Sequence, residues 1–302
     1  MATKKIQNVL LATDFTPTSA MATQYAAEIA KKFAAKLIVA HVIAPDAYQF
    51  IAPEGMAQQI EAVEQCAREQ MSALDKALVH MPHESIIRNG FLADELAQII
   101  EERDIGIVVF GWKRHDIVRL LFGSVAEQLL RTAGCPALIV PSNAEPPREL
   151  FKSILLATDL YEGSQDGAVL ASHLAAKDGA LLTLLHVIDH RTIIPDRSRV
   201  LSEIRHELRA LVQERAGLMQ RPRVHMEFGR PEDRIVEQAQ KYHPDVIVMG
   251  TEHSEHPQWA THFGTLLEKV LIGVKCPVLA VPVSTKAKTQ AAAAAEASYA
   301  LH

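Results

Sequence analysis

Two glycine-hydroxyl pairs in this sequence stand where a helix is predicted to begin, and this combination can bind an anion. Gly123-Ser124 and Gly264-Thr265 each precede a helical pattern, and each follows an apolar strand that ends in a glycine, Gly111 or Gly250. A helix N-terminus presents backbone N–H groups without partners in the helix, and its dipole favours negative charge. The two segments therefore predict phosphate sites. The alternative is ordinary cap chemistry, because a glutamate follows each hydroxyl three positions later, as in a capping box.

The pattern occurs twice because the chain is an internal repeat. Val9–Asp14 returns as Ile154–Asp159, and Ala40–Ile43 returns as Leu185–Ile188, both after 145 residues. A polar stretch with paired prolines separates the two copies, as a linker does. The predicted divisions are a first domain at 1–142, a second domain at 150–284 and a disordered alanine-rich tail at 285–302.

Short β-branched runs alternate with longer amphipathic segments in both halves, which indicates an α/β fold. In the first half the predicted strands are 6–13, 36–43, 84–89, 105–111 and 136–141, and the predicted helices are 18–34, 57–80, 93–103 and 124–133. In the second half the strands are 152–158, 180–188, 223–228, 245–250 and 277–283, and the helices are 163–177, 197–218, 231–242 and 265–274. Continuous apolar strands indicate a sheet covered on both faces. Each half is therefore predicted to be a doubly wound, Rossmann-like unit with five parallel strands.

The winding of such a sheet predicts where a ligand binds. Ligands of doubly wound sheets lie beyond the carboxyl ends of the strands, where the winding direction reverses. Four residues that end predicted strands should lie there: Asp14, Gly111, Asp159 and Gly250.

The last strand of each half is bracketed by prolines, which is typical of an edge strand. Both of these strands, 136–141 and 277–283, are apolar, and an apolar edge needs a partner. We predict that they pair with each other to form an internal pseudo-dimer. Further pairing into a homodimer is also compatible with the sequence.

Composition and charge exclude several classes of function. The net charge of −5 and pI of about 6.3 lack the basic field that nucleic-acid binding needs. No apolar run approaches the length of a membrane span and no export segment precedes the first strand, so we predict no membrane partner and a cytoplasmic location. The three cysteines form no Cys-x-x-Cys, and the histidines near 253–262 fit no standard metal spacing, so no metal site is predicted.

The motifs of common enzyme classes are missing from the sequence. It contains no P-loop, no dinucleotide-binding glycine pattern and no hydrolase nucleophile elbow. His41 and His186 end apolar strands, and we interpret them as satisfied histidines at the sheet rim rather than as acids or bases. The sequence therefore predicts a protein that is not an enzyme.

Taken together, these motifs resemble the universal stress protein family, which has adenine-nucleotide-binding and non-binding branches. The resemblance rests on Leu-Leu-Ala-Thr-Asp in each half, His-Val after the second strand, Gly229–Ile235, Pro244–Gly250 and the two glycine-hydroxyl helix starts, each followed by Cys-Pro. It extends over 4–142 and 151–283. It implies the fold of the adenine nucleotide alpha hydrolases and a role in the stress response, with ATP as the ligand.

The resemblance also implies which residues would hold the nucleotide. Asp14 and Asp159 would face the adenosine part, and the backbone of Val42 and Val187 would lie beside the adenine ring. The alternative is that each aspartate caps the first helix or ties the loop after its strand. The remaining residues would hold the phosphate end: Gly111, Arg114, Gly123, Ser124 and Val125 in the first half, and Gly250, Gly264, Thr265 and Leu266 in the second.

Both phosphate loops depart from the signature of the nucleotide-binding branch, which is Gly-x-x-Gly, nine residues, then Gly-Ser or Gly-Thr. The first half has Arg114 at the middle glycine and then eight residues, and the second has His253 and then ten. Residues 113–115 are basic and could bind phosphate, whereas Glu252 and Glu255 would repel it. We expect ATP, with or without Mg²⁺, more in the first domain than in the second. The alternative is a nucleotide-independent scaffold.

Overall fold

The computed structural model describes residues 6–48, 56–112, 134–147, 149–160, 164–189, 196–213, 218–251 and 262–282 of the chain. The chain divides into two compact units, one spanning 4–147 and the other beginning at 148.

The first unit is a parallel sheet with helices between its strands. Its strands are β1 (Asn8–Ala12), β2 (Lys36–Ile43), β3 (His83–Asn89), β4 (Ile107–Trp112) and β5 (Ala137–Pro141), and its helices are α1 (Pro17–Phe33), α2 (Met56–Ala77) and α3 (Leu92–Glu102). All pairings are parallel, in the order β3-β2-β1-β4-β5. The winding direction reverses between β1 and β4, so the carboxyl ends of these two strands flank the ligand-binding position of such folds.

The second unit repeats this arrangement. Its strands are β6 (Ser153–Ala157), β7 (Leu181–Ile188), β8 (Arg223–Phe228), β9 (Val246–Thr251) and β10 (Val278–Pro282), and its helices are α4 (Ser164–Asp178), α5 (Arg197–Gln213), α6 (Pro231–Tyr242) and α7 (His262–Gly273). The parallel order is β8-β7-β6-β9-β10. The predicted fold class is therefore confirmed in both halves.

Small residues at helical spacing let α1 pack closely on its sheet. Ala22, Ala26 and Ala30 are buried together with Tyr25 and Ile29. The helix begins after Thr16, whose side chain accepts a hydrogen bond from the Ser19 N–H, and Pro17 occupies the first helical position, where a missing N–H costs nothing. These features fix the start of α1 over the carboxyl end of the sheet.

Several predicted boundaries differ from the structure, and three of these differences lie at the candidate site. β4 and β9 continue one residue past Gly111 and Gly250, because both glycines remain paired with the neighbouring strands β5 and β10. α7 begins at His262, so Thr265 lies inside the helix rather than at its cap. A glycine within a helix costs only about 1 kcal/mol and His262 and Phe263 do not break helices, so helix formation extends upstream of Gly264.

Two predicted segments lie outside the described residues. They are the helix at 124–133 and the tail at 285–302. In the part of the chain that the structure describes, no helix has the length and apolar character needed to cross a membrane.

Candidate functional site

The candidate site of the first unit is built on the turn that joins β1 to α1. Thr13 is buried with 7% of its surface exposed, while Asp14 is exposed. Phe15 then adopts a left-handed conformation with φ of 62°, and its N–H donates to the Thr13 Oγ1 at 3.1 Å. A left-handed conformation is unfavourable for a bulky side chain, so this hydrogen bond and the packing around it must hold the turn.

Asp14 accepts a cluster of hydrogen bonds on one carboxylate oxygen. Its Oδ1 accepts from the Thr16 N–H at 3.0 Å, from the Thr16 Oγ1 at 2.7 Å and from the Ser19 Oγ. Partial removal of the carboxylate from water raises the pKa of Asp14, but the hydrogen bonds from Ser19 and Thr16 outweigh it and hold the pKa below its ordinary value. Asp14 is therefore a charged and oriented acceptor.

The last hydrogen bond between β1 and β2 is made by a histidine side chain rather than by the backbone. The Thr13 N–H donates to the Ala40 carbonyl at 2.9 Å, and the Thr13 carbonyl lies 2.8 Å from Nδ1 of His41. A carbonyl can only accept, so Nδ1 carries the proton. The Phe15 ring lies against the imidazole with 4.5 Å between ring centroids. The interpretation of His41 as a satisfied rim histidine is confirmed, and the next residue in β2 is Val42.

Gly111 allows α1 to approach the sheet at this point. A β-carbon at Gly111 would lie 2.7 Å from the Thr18 carbonyl oxygen and 2.8 Å from the Thr18 carbonyl carbon. Thr18 belongs to the first turn of α1, between Thr16 and Ser19. The absent side chain of Gly111 is thus what lets the helix that holds Asp14 sit over β4.

The second unit repeats part of this geometry. The Thr158 carbonyl lies 2.9 Å from Nδ1 of His186, and Leu160 is left-handed with φ of 68° and donates its N–H to the Thr158 Oγ1 at 3.1 Å. The buried Thr158 Oγ1 in turn donates to the Ser164 Oγ at 2.9 Å. The residue corresponding to Thr16 is Tyr161, which lies outside the described residues.

The structure brings three predicted residues of each half to the same edge of the sheet. Asp14, Val42 and Gly111 lie at the carboxyl ends of β1, β2 and β4, and Asp159, Val187 and Gly250 lie at the equivalent positions of β6, β7 and β9. Gly264, Thr265 and Leu266 lie in the first two turns of α7. The other four residues lie outside the described residues: Arg114, Gly123, Ser124 and Val125.

Sequence reasoning missed the residues that hold Asp14. Thr16 and Ser19 supply the hydrogen bonds on Oδ1. A signal for the first of them was present, because Asp-x-Thr before a proline is typical of an aspartate turn at a helix start. Nothing local in the sequence indicated that Ser19 reaches back five residues to the aspartate. Among the residues that the structure describes, no group of three or more metal-ligating side chains could hold a metal ion.

The family model described as "Universal stress protein family" matches this chain twice, at residues 5–141 and 150–282. The chain belongs to the universal stress protein family. It contains two tandem domains of that family, as the repeat predicted.

Curated universal stress proteins match over about one domain of this chain. A universal stress protein A homologue from Coxiella burnetii is 31% identical over 140 residues, which are 43% of this chain and 96% of that protein. Universal stress protein G from Escherichia coli O157:H7 is 29% identical over 145 residues, which are 44% of this chain and 99% of that protein.

Solved structures match over nearly the whole chain. A universal stress protein from Archaeoglobus fulgidus superposes with a TM-score of 0.65 at 20% identity, covering 93% of this chain and 100% of that one. A protein of unknown function from Pseudomonas aeruginosa gives a TM-score of 0.55 at 15% identity, covering 96% and 98%. These likenesses show the fold.

Proposed function

We propose that this universal stress protein binds an adenine nucleotide at the carboxyl edge of its first domain and acts as a regulator rather than as an enzyme. The observation that carries this proposal is the arrangement of Asp14. The hydrogen bonds from Thr16 and Ser19 all end on Oδ1. Among the described contacts Oδ2 accepts none of them, so it is available to a ribose hydroxyl or a purine amine.

This arrangement combines the two roles considered for Asp14. One oxygen ties the turn to the start of α1, and the other accepts none of these hydrogen bonds. A carboxylate that is already oriented loses little conformational entropy when a ligand binds, which favours affinity. Val42 lies on the neighbouring strand at the same edge, where its backbone could meet the purine base.

Two features favour the first domain over the second. Thr16 donates its N–H and its hydroxyl to Asp14, and the corresponding residue of the second domain is Tyr161, which carries no hydroxyl on its β-carbon. The sequence after Gly111 is basic at 113–115, whereas the sequence after Gly250 carries Glu252. Positive charge favours a polyphosphate and a carboxylate opposes it. ATP with Mg²⁺ is therefore proposed for the first domain.

Calorimetric titration with Mg-ATP and with AMP tests the proposal. Asp14→Asn keeps an oxygen for the donors of Thr16 and Ser19 but replaces the outward acceptor by an amide donor, and we expect it to weaken binding about tenfold, the equivalent of one charged hydrogen bond. Asp159→Asn is the matched control and should change the measured affinity little. Similar losses in both variants would contradict the preference for the first domain.

Two further variants examine the phosphate end. Gly123→Val should abolish Mg-ATP binding, because a β-branched side chain would obstruct the helix start that the sequence predicts there, whereas Gly264→Val should matter less. AMP should be affected by Gly123→Val less than ATP. Measured ATP turnover should remain at the background rate in every variant, and rapid hydrolysis by the wild type would refute a purely regulatory role.

A nucleotide-independent scaffold is the second candidate, and the departures from the family signature at Arg114 and His253 favour it. In that case the wild type would give no binding heat up to millimolar Mg-ATP. Pairing of the edge strands 136–141 and 277–283, a homodimer and a cytoplasmic location remain proposals from the sequence. Light scattering after size-exclusion chromatography, with and without nucleotide, would determine the oligomeric state.

A further inference from the structure

The hydrogen-bond ladder between β1 and β2 stops one rung early. Its last described backbone rung joins the Thr13 N–H to the Ala40 carbonyl at 2.9 Å. In a parallel ladder the next rung would join the Val42 N–H to the Thr13 carbonyl. That carbonyl instead accepts from Nδ1 of His41 at 2.8 Å, and no backbone hydrogen bond to it is seen from the described part of β2.

The second domain ends its ladder in the same way. The Thr158 N–H donates to the Leu185 carbonyl at 3.0 Å, and the Thr158 carbonyl then accepts from Nδ1 of His186 at 2.9 Å. In both domains the histidine follows its threonine by 28 residues. The substitution of an imidazole for a backbone rung is therefore a repeated feature of the fold.

The consequence falls on the residue after the histidine. Successive residues of a strand direct their N–H and C=O to opposite sides, so Ala40 and Val42, which are two residues apart, both direct these groups toward β1. Beyond Thr13 the chain turns away through the left-handed Phe15, so the Thr13 carbonyl is the last acceptor on the β1 side for the Val42 N–H. No described backbone hydrogen bond joins the Val42 N–H to that carbonyl, and an unpaired backbone group favours a ligand that can complete it.

We infer that His41 and His186 are positioning residues that keep the backbone N–H of Val42 and of Val187 open to a ligand. A carbonyl oxygen can accept two hydrogen bonds, so the imidazole acts by orientation: it holds the threonine carbonyl in a position in which the last rung is not formed. The ligand class is a planar heteroaromatic ring whose edge carries an acceptor next to a donor, as adenine does with N1 and its 6-amino group. The inference rests on the proposed function for the identity of that ring, but the state of the Val42 amide is independent of it.

Two substitutions at His41 separate the hydrogen bond from the ring. In His41→Asn the amide nitrogen stands as many bonds from the backbone as Nδ1 does, so the Thr13 carbonyl keeps a donor. In His41→Phe the ring against Phe15 is kept but the donor is lost. We expect Mg-ATP binding by His41→Asn to stay within about threefold of the wild type, and binding by His41→Phe to weaken about tenfold, the equivalent of one lost hydrogen bond. His186→Phe is the matched control for the first site.

Amide exchange measured by NMR on the ligand-free protein provides a readout that a merely structural role would not change. The Val42 amide should exchange quickly in the wild type and in His41→Asn, and should become protected in His41→Phe as the rung to Thr13 closes. A protected Val42 amide in the wild type, or unchanged exchange in His41→Phe, would overturn the inference.

The binding data separate this inference from the proposed function. If the wild type binds Mg-ATP and His41→Phe binds equally well, the positioning role is refuted while nucleotide binding stands. If the wild type binds no nucleotide, the proposed function fails, and the exchange of the Val42 amide still decides whether His41 keeps the rung open.

Discussion

Replacement of Gly111 by alanine should destabilise the first domain, because the contact between α1 and β4 leaves no room for a methyl group. The added β-carbon would lie 2.7 Å from the carbonyl oxygen of Thr18 and 2.8 Å from both its carbonyl carbon and its Cγ2. Two of these atoms belong to the backbone of the first turn of α1, so a change of rotamer cannot relieve the overlap. The helix or the strand must move.

The size of the effect follows from the kind of atom that is displaced. Overpacking a well-packed core by one methyl group costs typically 1–3 kcal/mol, and the upper part of that range, about 2–3 kcal/mol, applies when backbone rather than a flexible side chain obstructs it. Movement of Thr18 also displaces its neighbour Ser19, which donates to Asp14. We therefore expect Gly111→Ala to weaken nucleotide binding as well as folding.

Urea unfolding followed by tryptophan fluorescence would measure the effect in one domain at a time. The chain contains two tryptophans, Trp112 and Trp259. Trp112 adjoins Gly111 and is buried with 8% of its surface exposed. In a Trp259→Phe background, the emission of Trp112 reports the unfolding of the first domain alone.

Gly167→Ala in α4 provides the matched control in the second domain, and its urea unfolding is followed by far-ultraviolet circular dichroism rather than by Trp112. Its β-carbon would find its nearest neighbour, the backbone nitrogen of Gly250, at 3.4 Å, which is ordinary contact. Because alanine favours a helix over glycine by up to about 1 kcal/mol, this variant should be neutral or slightly more stable. An unfolding midpoint of Gly111→Ala equal to that of its parent would refute the steric argument.

Three other predictions concern the cap and the cysteines. Thr16→Ala should lower the stability of the first domain by about 1 kcal/mol, as measured by urea unfolding, because it removes the helix cap and a donor to Asp14. The pKa of Asp14 is lowered in the folded state. The charged carboxylate therefore stabilises the fold fully above the ordinary pKa of 3.8, and this contribution is lost as the pH falls through the lower folded value. The difference in unfolding free energy between the wild type and Asp14→Asn should shrink in acid. Burial raises the pKa of the Cys276 thiol to about 12, and Cys135 is buried, so iodoacetamide should label exposed Cys66 first, and Cys66→Ser should lose the fast reaction.

The alternation and repetition of apolar segments were sufficient to predict the fold. Val9, Leu10 and Leu11 are apolar and buried at every position, and such a continuous run indicates a strand in a sheet that is covered on both faces. The recurrence of Asp14 as Asp159 located the carboxyl edge in each half. Predictions of this kind succeed because they depend on burial, and the burial of a whole segment can be inferred from its apolar residue types.

Contacts between distant elements were not predictable. The ends of β4 and β9 depend on pairing with β5 and β10, and a glycine signals a strand end only when such a neighbour is absent. α7 starts at His262, upstream of Gly264, because glycine lowers helix stability only slightly. The local sequence pattern does not show whether a helix continues through such a glycine. The hydrogen bond of His41 to Thr13 joins residues 28 positions apart, and the residue types alone indicated only that the ring would be satisfied.

The repeat itself distinguishes what the fold needs from what a ligand needs. Both domains contain the same three features. A histidine Nδ1 contacts a threonine carbonyl, at 2.8 Å in the first domain and 2.9 Å in the second. A left-handed turn residue follows, and its N–H donates to the hydroxyl of the same threonine. Features that persist in both halves suit a requirement common to both domains, which we infer to be a strand end that is left open for a ligand. The hydroxyl of Thr16, by contrast, belongs to the first domain only. Because that hydroxyl helps Ser19 to orient Asp14, loss of the aspartate should affect nucleotide affinity in the first domain more than in the second.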